Sequence, residues 1–280
     1  MDGIILINKD KGITSRDVVN IICKKYNTRR VGHTGTLDPL ATGLMVICLN
    51  SGCKLVELLS NHDKEYITKV KLGIRTDTYD ITGKVLEQND NYIIEQQKLE
   101  EALNSFIGTY LQEVPIYSSI KVHGKKLYEY ARSGEEVSLP KREVTINEIQ
   151  LIKLEQDSFT FKVNVSKGTY IRSLINDISK KMNILMTMEE LKRTKVGKFD
   201  LVNSQKTTED LKLISLIDAI DIPKVEIDDE MLKKVENGVK LINYDNYDEI
   251  AFIYKNNLIA IYKKDHEYLK AYRVFKLEQN

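Results

Sequence analysis

The sequence predicts an α+β protein with a mixed, largely antiparallel sheet flanked by helices, and a small β module at its C-terminal end. Three observations support this fold class. Most strand-like segments alternate apolar and polar residues, which is typical of strands buried on one face only. Helical and strand-like segments follow one another irregularly, unlike the regular alternation of a βαβ fold. After Pro223 the chain has one short helical segment and then only strand-like runs.

Residues 1–108 predict three strands and two helices. "GIILINK" and "LMVICL" are continuous apolar runs, typical of buried strands, whereas "EYITKVKLG" alternates and predicts a half-buried strand that carries Tyr66. "TSRDVVNIICKKY" predicts a helix capped by Thr14 or Ser15, with its apolar residues on one face. "KLEEALNSFIG" predicts an amphipathic helix with Gly108 at its C-terminal end.

The remaining segments predict the rest of the sheet and the C-terminal module. "GKKLYEYARSG" is a short helix closed by Gly134, "EVTINEIQLIKLE" and "SFTFKVNVS" are strands, and residues 170–182 form a helix. Thr187 and Glu190 have the spacing of a capping box, which predicts another short helix. In the tail, "DDEMLKKVENG" predicts a helix, "EIAFIY" and "NLIAIYKK" predict a hairpin that turns at residues 255–257, and "YLKAYRVFKL" predicts the last strand.

The composition of the 280 residues is that of a soluble globular protein, with 42% hydrophobic and 30% charged residues. No apolar run approaches the length of a membrane span, and the N-terminal apolar run is too short for a signal peptide, so we expect a cytoplasmic protein. Cys23, Cys48 and Cys53 lie in apolar segments and are interpreted as reduced core thiols. No second Cys/His pair has ligand spacing, so no zinc site is expected.

The charge is distributed unevenly along the chain, although its net value is only +1. Residues 162–198 contain nine Lys or Arg against three Asp or Glu, and residues 121–142 contain six against three. Residues 199–280 contain twelve against sixteen. The basic segments could bind a polyanion. A solvated lysine-rich surface explains the same charges, and charge alone favours that interpretation.

Asp38 is the only carboxylate in the loop "GHTGTLDPLATG" (residues 32–43), which lies between two apolar segments. An Asp before Pro can simply initiate a turn. Alternatively, Asp38 is a nucleophile or an acid–base group, which would need a cation to hold it ionised and oriented. Arg172 in "KGTYIRSL" is a candidate for that cation, although the spacing alone does not pair the two residues.

Other polar residues have ordinary structural interpretations. "TDTYDITG" contains Asp77 and Asp80 but lacks the alternating acids of a calcium loop, so turn and strand-end roles are expected. His33 could be a capping or core histidine, and Tyr66 could be a core residue of its strand.

Several motifs together carry a resemblance to a known family. "RRVGHTGTLDPLATGLMVICL" resembles the signature motif of the TruB family of tRNA pseudouridine synthases, which act on the uridine at position 55 in the T-loop. "LINKDKGITSRDVV", "KEYITKVKLGIRTDTYDITG", "YSSIKVHGKKLYEYARSGEEV", "VSKGTYIRSLINDI" and "LKRTKVGKF" resemble further motifs of the family in the right order. The resemblance is close over residues 3 to about 200. The tail is similar, more loosely, to the small β module called PUA.

The resemblance implies a domain organisation and a set of site residues. Residues 1–222 would form a catalytic domain with the pseudouridine synthase fold, and residues 223–280 a PUA-like RNA-binding domain. The implied catalytic residues are Asp38, Tyr66 and Arg172, and the implied substrate-binding residues are His33, Tyr66, Tyr170, Leu191 and Lys9. The implied partner is the T-stem-loop of tRNA, with no cofactor, metal, guide RNA or protein partner.

The sequence departs from the family's usual pattern at three points. Asp10 stands where a proline usually follows the N-terminal lysine, and Ser119 stands at a usual alanine. Before Leu191 the chain reads "NILMTMEELKR", so Lys192 replaces one of two usual arginines. The local shape of the RNA-binding edge is therefore expected to differ there, whereas the catalytic set is intact.

The implied reaction explains why these residue types are needed. Pseudouridine formation breaks the bond from ribose C1′ to N1, turns the base and joins C1′ to C5. The nucleotide must first be extruded from the stacked loop. Asp38 could then attack C1′, attack C6 or deprotonate C2′. A bidentate contact from Arg172 would orient Asp38, while Tyr66 would stack on the flipped base and could relay the C5 proton.

Two rival functions use the same features. An RNA-binding or chaperone protein that folds tRNA without modifying it would also need a basic surface and a β module. A pseudouridine synthase that works within a guide-RNA complex would share the catalytic set. The Asp38, Tyr66 and Arg172 set favours an enzyme, and the short tail favours one that acts alone.

Overall fold

A computed structural model describes residues 1–275, which form six α-helices and eighteen β-strands. The elements in chain order are β1 (Gly3–Lys9), α1 (Ser15–Lys25), β2 (Val31–His33), β3 (Thr42–Leu49), α2 (Val56–Ser60), β4 (Lys64–Leu72), β5 (Ile74–Thr76), β6 (Val85–Gln88), α3 (Gln96–Asn104), β7 (Gly108–Glu113), β8 (Lys121–Val122), β9 (Lys125–Lys126), α4 (Leu127–Ser133), β10 (Lys141–Leu154), β11 (Ser158–Val165), α5 (Ile171–Met182), β12 (Met186–Val196), β13 (Phe199–Asp200), β14 (Lys224–Glu226), α6 (Asp229–Glu236), β15 (Leu241–Ile242), β16 (Glu249–Tyr254), β17 (Asn257–Asp265) and β18 (Tyr268–Val274).

The largest sheet of the described residues has nine strands in the main order β1-β3-β12-β4-β11-β10-β7, with β2 paired to β3 and β13 paired to β12. All its pairs are antiparallel except β3 with β12, which run parallel over Thr42–Gly43 and Lys192–Arg193. The mixed, largely antiparallel sheet predicted from the sequence is therefore confirmed. The parallel pair brings the start of β3, which follows the Asp38 loop, against the middle of β12.

Two predictions of local structure are wrong. Thr187 and Glu190 do not begin a helix, because Met186–Val196 is the strand β12, between β3 and β4. A capping box is a local pattern, whereas pairing along β4 and burial of Thr187 on the sheet stabilise the extended chain. Gly108 does not end a helix either: α3 ends at Asn104, and Gly108 begins β7 with a positive φ of 109°.

The helices cover the sheet with apolar faces, as their sequence patterns predict. The Thr14 side chain accepts a hydrogen bond from the Asp17 N–H, and the Asp17 carboxylate accepts one from the Thr14 N–H, so α1 begins with a capping box. Helix α5 buries Ile171, Leu174 and further apolar residues in the core formed with the sheet. No helix within residues 1–275 combines the length and the apolar composition needed to cross a lipid bilayer.

The C-terminal segment forms a second, five-stranded sheet in the order β14-β16-β17-β18-β15. The predicted hairpin is confirmed, with Lys255 and Asn256 both at positive φ in the tight turn between β16 and β17. The predicted final strand is confirmed as β18 up to Val274. Its last two predicted residues, Lys276 and Leu277, lie outside the described residues.

The second sheet shares an apolar core with the first. A single cluster of buried side chains contains residues from β1 and β3 together with residues from the C-terminal segment: Ile4, Leu6, Leu44, Val46, Ala251, Leu258, Ile261 and Phe275. Burial of each large apolar side chain stabilises a fold by about 1.5–3 kcal/mol. Removal of the C-terminal segment would therefore expose part of the core beneath the first sheet, and point substitutions are the cleaner test of its role.

Candidate active site

A cleft of about 500 Å³ opens where the 34–38 segment, β4, β12 and the start of α5 meet. It is lined by five residues that the sequence predicted to act in catalysis or substrate binding: Asp38, Tyr66, Tyr170, Arg172 and Leu191. These residues come from segments that are far apart in the chain. Their convergence on one cleft is the main support that the structure adds to the predicted site.

The Asp38 carboxylate forms an ion pair with Arg172 at one wall of the cleft. Arg172 Nε lies 3.0 Å from Asp38 Oδ2. The Arg172 side chain is 6% exposed, whereas the Asp38 side chain is 37% exposed. The arginine is therefore a buried support, and the carboxylate is the member of the pair that a substrate in the cleft can reach.

Arg172 does not contact Asp38 with both ends of its guanidinium group, so the predicted bidentate contact is wrong. Nη1 donates to the carbonyl of Thr78 and Nη2 donates to the carbonyl of Tyr117, each at 3.0 Å. These two carbonyls occupy the outer nitrogens and leave Nε for Asp38. Since the guanidinium group is planar, the two carbonyl acceptors and the adjacent Asp38 carboxylate determine its position and orientation.

Asp80 adds a second carboxylate behind Arg172, which the sequence did not indicate. Its Oδ2 lies 4.0 Å from Arg172 Nη1, and the residue is 6% exposed. Asp80 Oδ1 accepts hydrogen bonds from the hydroxyls of Thr78 and Thr82 and from the Thr82 N–H. The turn role expected from the sequence is present, and the same residue also places negative charge beside the arginine.

The loop that carries Asp38 is held by buried side chains from the N-terminal segment. The hydroxyl of Ser15 donates to the carbonyl of Leu37 and accepts from the Leu37 N–H, at 3.0 and 2.8 Å. Lys9 Nζ donates to the carbonyls of Ile13 and Pro39. These bonds join the loop to the start of α1 and to the end of β1, and so limit where Asp38 can lie.

Lys9 lies behind the Asp38 loop, and its predicted contact with the substrate stays a prediction. Lys9 is fully buried and does not line the cleft. Its ammonium group donates to backbone carbonyls behind the Asp38 loop, because the loop folds over it. Burial lowers the pKa of Lys9, and the nearby Asp38 carboxylate opposes that shift. Lys9 is therefore a positioning residue in this conformation.

His33 lies on β2 at the start of the loop, outside the residues that line the cleft. Its Nδ1 accepts a hydrogen bond from the Gly35 N–H at 3.3 Å. Burial lowers the pKa of His33, and the nearby Arg193 and Arg16 lower it further. Its predicted contact with the RNA loop stays a prediction.

Tyr66, Leu191 and Tyr170 form part of the cleft wall. Tyr66 on β4 is 7% exposed and Leu191 on β12 is 8% exposed. Tyr170 immediately precedes α5, and its backbone N–H donates to Gln112 Oε1 at 2.8 Å. Two ring-bearing side chains and a leucine in one cleft provide apolar surface against which a base could stack.

Arg193 is a buried cleft residue that the sequence analysis did not single out. It pairs with Gly43 where β3 and β12 run parallel. Gly43 has a φ of +101°, and a Cβ atom there would lie 2.3 Å from the carbonyl oxygen of Arg193, so only glycine fits. The sequence alone does not distinguish a buried arginine from an exposed one. The only signal for this segment was the family motif "LKRTKVGKF".

Comparisons with known proteins agree with this fold and site. A solved structure described as "Structure of H/ACA RNP bound to a substrate RNA containing 2'-deoxyuridine" has a TM-score of 0.73 at 22% identity and covers 98% of this chain and 85% of its own, which shows a common fold. The model of the TruB family pseudouridylate synthase N-terminal domain matches residues 23–171. Fold and motifs thus define the class of protein as a pseudouridylate synthase.

Two curated relatives match over nearly their whole length. The tRNA pseudouridine synthase B of Clostridium tetani is 42% identical over 274 residues, which cover 95% of this chain and 93% of that protein. The tRNA pseudouridine synthase B of Mesoplasma florum is 40% identical, with 96% and 93% covered. The chain belongs to the TruB family of pseudouridylate synthases.

Proposed function

We propose that this protein converts uridine to pseudouridine at position 55 in the T-loop of tRNA. The observation that carries the proposal is the Asp38–Arg172 ion pair in a cleft that is also lined by Tyr66, Tyr170 and Leu191. The relatives named tRNA pseudouridine synthase B support tRNA as the substrate. In this proposal the protein acts in the cytoplasm. It needs no guide RNA, protein partner, cofactor or metal ion.

The geometry suits an isomerisation in which the Asp38 carboxylate is the reacting group. Arg172 contacts Oδ2, and within residues 1–275 no hydrogen bond is made by Oδ1, which is left for the substrate. The bond from C1′ to N1 breaks, the base turns, and C1′ joins C5. One proton is then lost from C5 and one is gained at N1, so atoms and electrons balance within the nucleotide and no oxidant or reductant is needed.

Pseudouridine mapping on tRNA incubated with the purified chain tests the proposal. A transcript with uridine at position 55 should gain one pseudouridine there, and a matched transcript with cytidine at that position should gain none. Conversion at a different uridine would assign the enzyme another target. Binding of tRNA without conversion would favour the rival interpretation of an RNA chaperone.

Tyr66→Phe is expected to bind tRNA with wild-type affinity and to lose most of its activity, by roughly a hundredfold or more. Phenylalanine keeps the ring that stacks on the flipped base and removes only the hydroxyl that relays the C5 proton. The measurement is the single-turnover rate, with enzyme in excess over tRNA. A wild-type rate in Tyr66→Phe would leave stacking as the only role of this residue.

We further propose that residues 1–222 are the catalytic domain and residues 223–280 a PUA-like module that binds RNA. The support is a groove on the second sheet, lined by four cationic residues, one acid and an aromatic ring: Lys263, Lys264, Lys270, Arg273, Asp265 and Tyr272, with Ala271. Lys263 and Arg273 are paired with Glu249 and Glu57, which leaves Lys264 and Lys270 for RNA. Cationic side chains beside an aromatic ring are typical of nucleic-acid surfaces. All residues of the proposed catalytic set lie before residue 200.

Lys264→Gln combined with Lys270→Gln is expected to weaken tRNA affinity by roughly threefold to tenfold, because each lysine contributes a phosphate contact. The single-turnover rate at saturating enzyme should not change, since neither residue lines the cleft. Lys233→Gln on α6, outside the groove, is the control. A large loss of the single-turnover rate in a folded double variant would show that the second sheet contributes to the active site.

A further inference from the structure

Two buried cations line the cleft in addition to Arg172. Lys64 on β4 is 7% exposed and Arg193 on β12 is 1% exposed. Lys64 Nζ donates to the carbonyls of Ser60 and His62, at 2.9 and 2.6 Å. Arg193 donates from Nε to the carbonyl of Leu44 and from Nη2 to the carbonyl of Gly35. Both cations are therefore held in fixed positions by neutral acceptors.

Neither cation has a carboxylate partner among residues 1–275, where all ion pairs within 4.0 Å involve other residues. Burial of a charge without a counter-charge is costly. Burial, together with the positive charges of Arg193 and Lys167, lowers the pKa of Lys64 to about 8, and Asp63 only partly opposes this shift. Such a surplus of positive charge is relieved when an anion enters the cleft.

Thr34 contributes an unpartnered hydroxyl to the same cleft. Thr34 is 4% exposed and lines the cleft, yet its buried Oγ1 has no hydrogen-bond partner in the described part of the chain. The next residue, Gly35, is close to both cations, because a Cβ atom there would lie 3.3 Å from Arg193 Nη1 and 3.7 Å from Lys64 Cε. Within residues 1–275, an unpartnered buried hydroxyl and two cations without a carboxylate partner thus belong to residues that line the same cleft.

We propose that Lys64, Arg193 and Thr34 form a binding site for one phosphodiester group of the RNA, adjacent to the uridine that enters the cleft. This inference rests on the proposed function, since uridine itself is uncharged and the only anions that an RNA substrate brings into the cleft are its phosphates. The site and the Asp38–Arg172 pair line the same cleft, so the phosphate contact positions the ribose for reaction.

The test uses RNA stem-loops in which the phosphate 5′ or 3′ of the target uridine is replaced, one at a time, by a neutral methylphosphonate. One of the two replacements should weaken binding to the wild-type enzyme roughly tenfold, the size of a lost hydrogen bond to a charged group. Lys64→Met should lose a similar factor on unmodified RNA and should be insensitive to that replacement. Lys71→Met, on the same strand but outside the cleft, should behave as wild type.

Thr34→Val provides a second, isosteric variant if Lys64→Met does not fold, and it should lose part of the same sensitivity. The proposal is overturned if neither methylphosphonate weakens binding to the wild-type enzyme, or if the folded Lys64→Met remains as sensitive as wild type. A site for free phosphate is a further outcome that overturns the proposal. In that case inorganic phosphate raises the melting temperature of the wild-type enzyme but not of Lys64→Met, while neither methylphosphonate changes RNA binding.

Failure of the proposed function is a separate outcome of the same experiment. It is shown by the wild-type enzyme on unmodified RNA, where absence of pseudouridine would contradict the function whatever the binding data. Formation of pseudouridine together with unchanged sensitivity in the variants would contradict only the phosphate site, and would assign Lys64 and Arg193 to bracing of the backbone carbonyls they contact.

Discussion

Asp38→Asn is expected to abolish turnover, with a loss of at least about a thousandfold in the single-turnover rate, while tRNA affinity stays within about threefold of wild type. The amide has the shape of the carboxylate, and it can occupy the same place beside Arg172 Nε, which lies 3.0 Å from Asp38 Oδ2. It is, however, a poor nucleophile and a poor base at neutral pH. The measurement is pseudouridine formation with enzyme in excess, alongside filter binding of the same tRNA.

The chain itself helps to keep this experiment clean. Pro39 follows position 38, and its nitrogen carries no hydrogen, so the usual attack of a backbone N–H on the asparagine amide cannot regenerate aspartate. Asp157→Asn, which removes an exposed carboxylate paired with Lys71, is the control and should keep wild-type activity. Multiple turnover by Asp38→Asn would remove Asp38 from the catalytic role.

Arg172→Lys is expected to lower the single-turnover rate by roughly a hundredfold although the charge is conserved, because small misplacement of a reacting group has effects of that size. The three contacts of Arg172 come from three nitrogens: Nε to Asp38, Nη1 to the Thr78 carbonyl and Nη2 to the Tyr117 carbonyl. A lysine has one nitrogen, so it cannot occupy all three positions. Either Asp38 loses its support or two buried carbonyls lose their donors.

The comparison that isolates geometry from charge is Arg172→Lys against Arg172→Met, each tested for tRNA affinity, single-turnover rate and thermal unfolding. We expect both variants to bind tRNA and both to be slow, with the methionine variant slower because Asp38 also loses its counter-charge. Nearly full activity in Arg172→Lys would show that only charge matters. Loss of affinity with an unchanged rate in both variants would make Arg172 a phosphate contact.

Predictions that depend on local patterns agree well with the structure. Thr14 was predicted as a possible cap and begins α1 with a complete capping box. Gly134 was predicted to close a helix, and it follows α4 in the left-handed conformation that glycine adopts without strain. The alternating run around Tyr66 forms β4 with every second residue buried. In each case the deciding interactions lie within a few residues.

Predictions that depend on distant partners were incomplete or wrong. The segment 186–196 contains a capping-box pattern, yet it lies between β3 and β4 as a strand, since pairing with β4 outweighs a local cap. The burial of Lys9 behind the Asp38 loop could not be predicted from its motif, and its substrate contact stays a prediction. Asp80 was assigned a turn role from its neighbours, and its proximity to Arg172 depends on how α5 packs.

The sequence by itself determined the fold class, the helices and strands with strong periodicity, and, through the motif around Asp38, the family to which the chain belongs. Only the tertiary structure decided how Asp38 and Arg172 meet, with Nε beside one carboxylate oxygen, and that Lys64 and Arg193 lie in the same cleft without a carboxylate partner among the described residues. The physical reason is range: propensity and capping act over a few residues, whereas ion pairing and burial depend on which distant segments the sheet brings together.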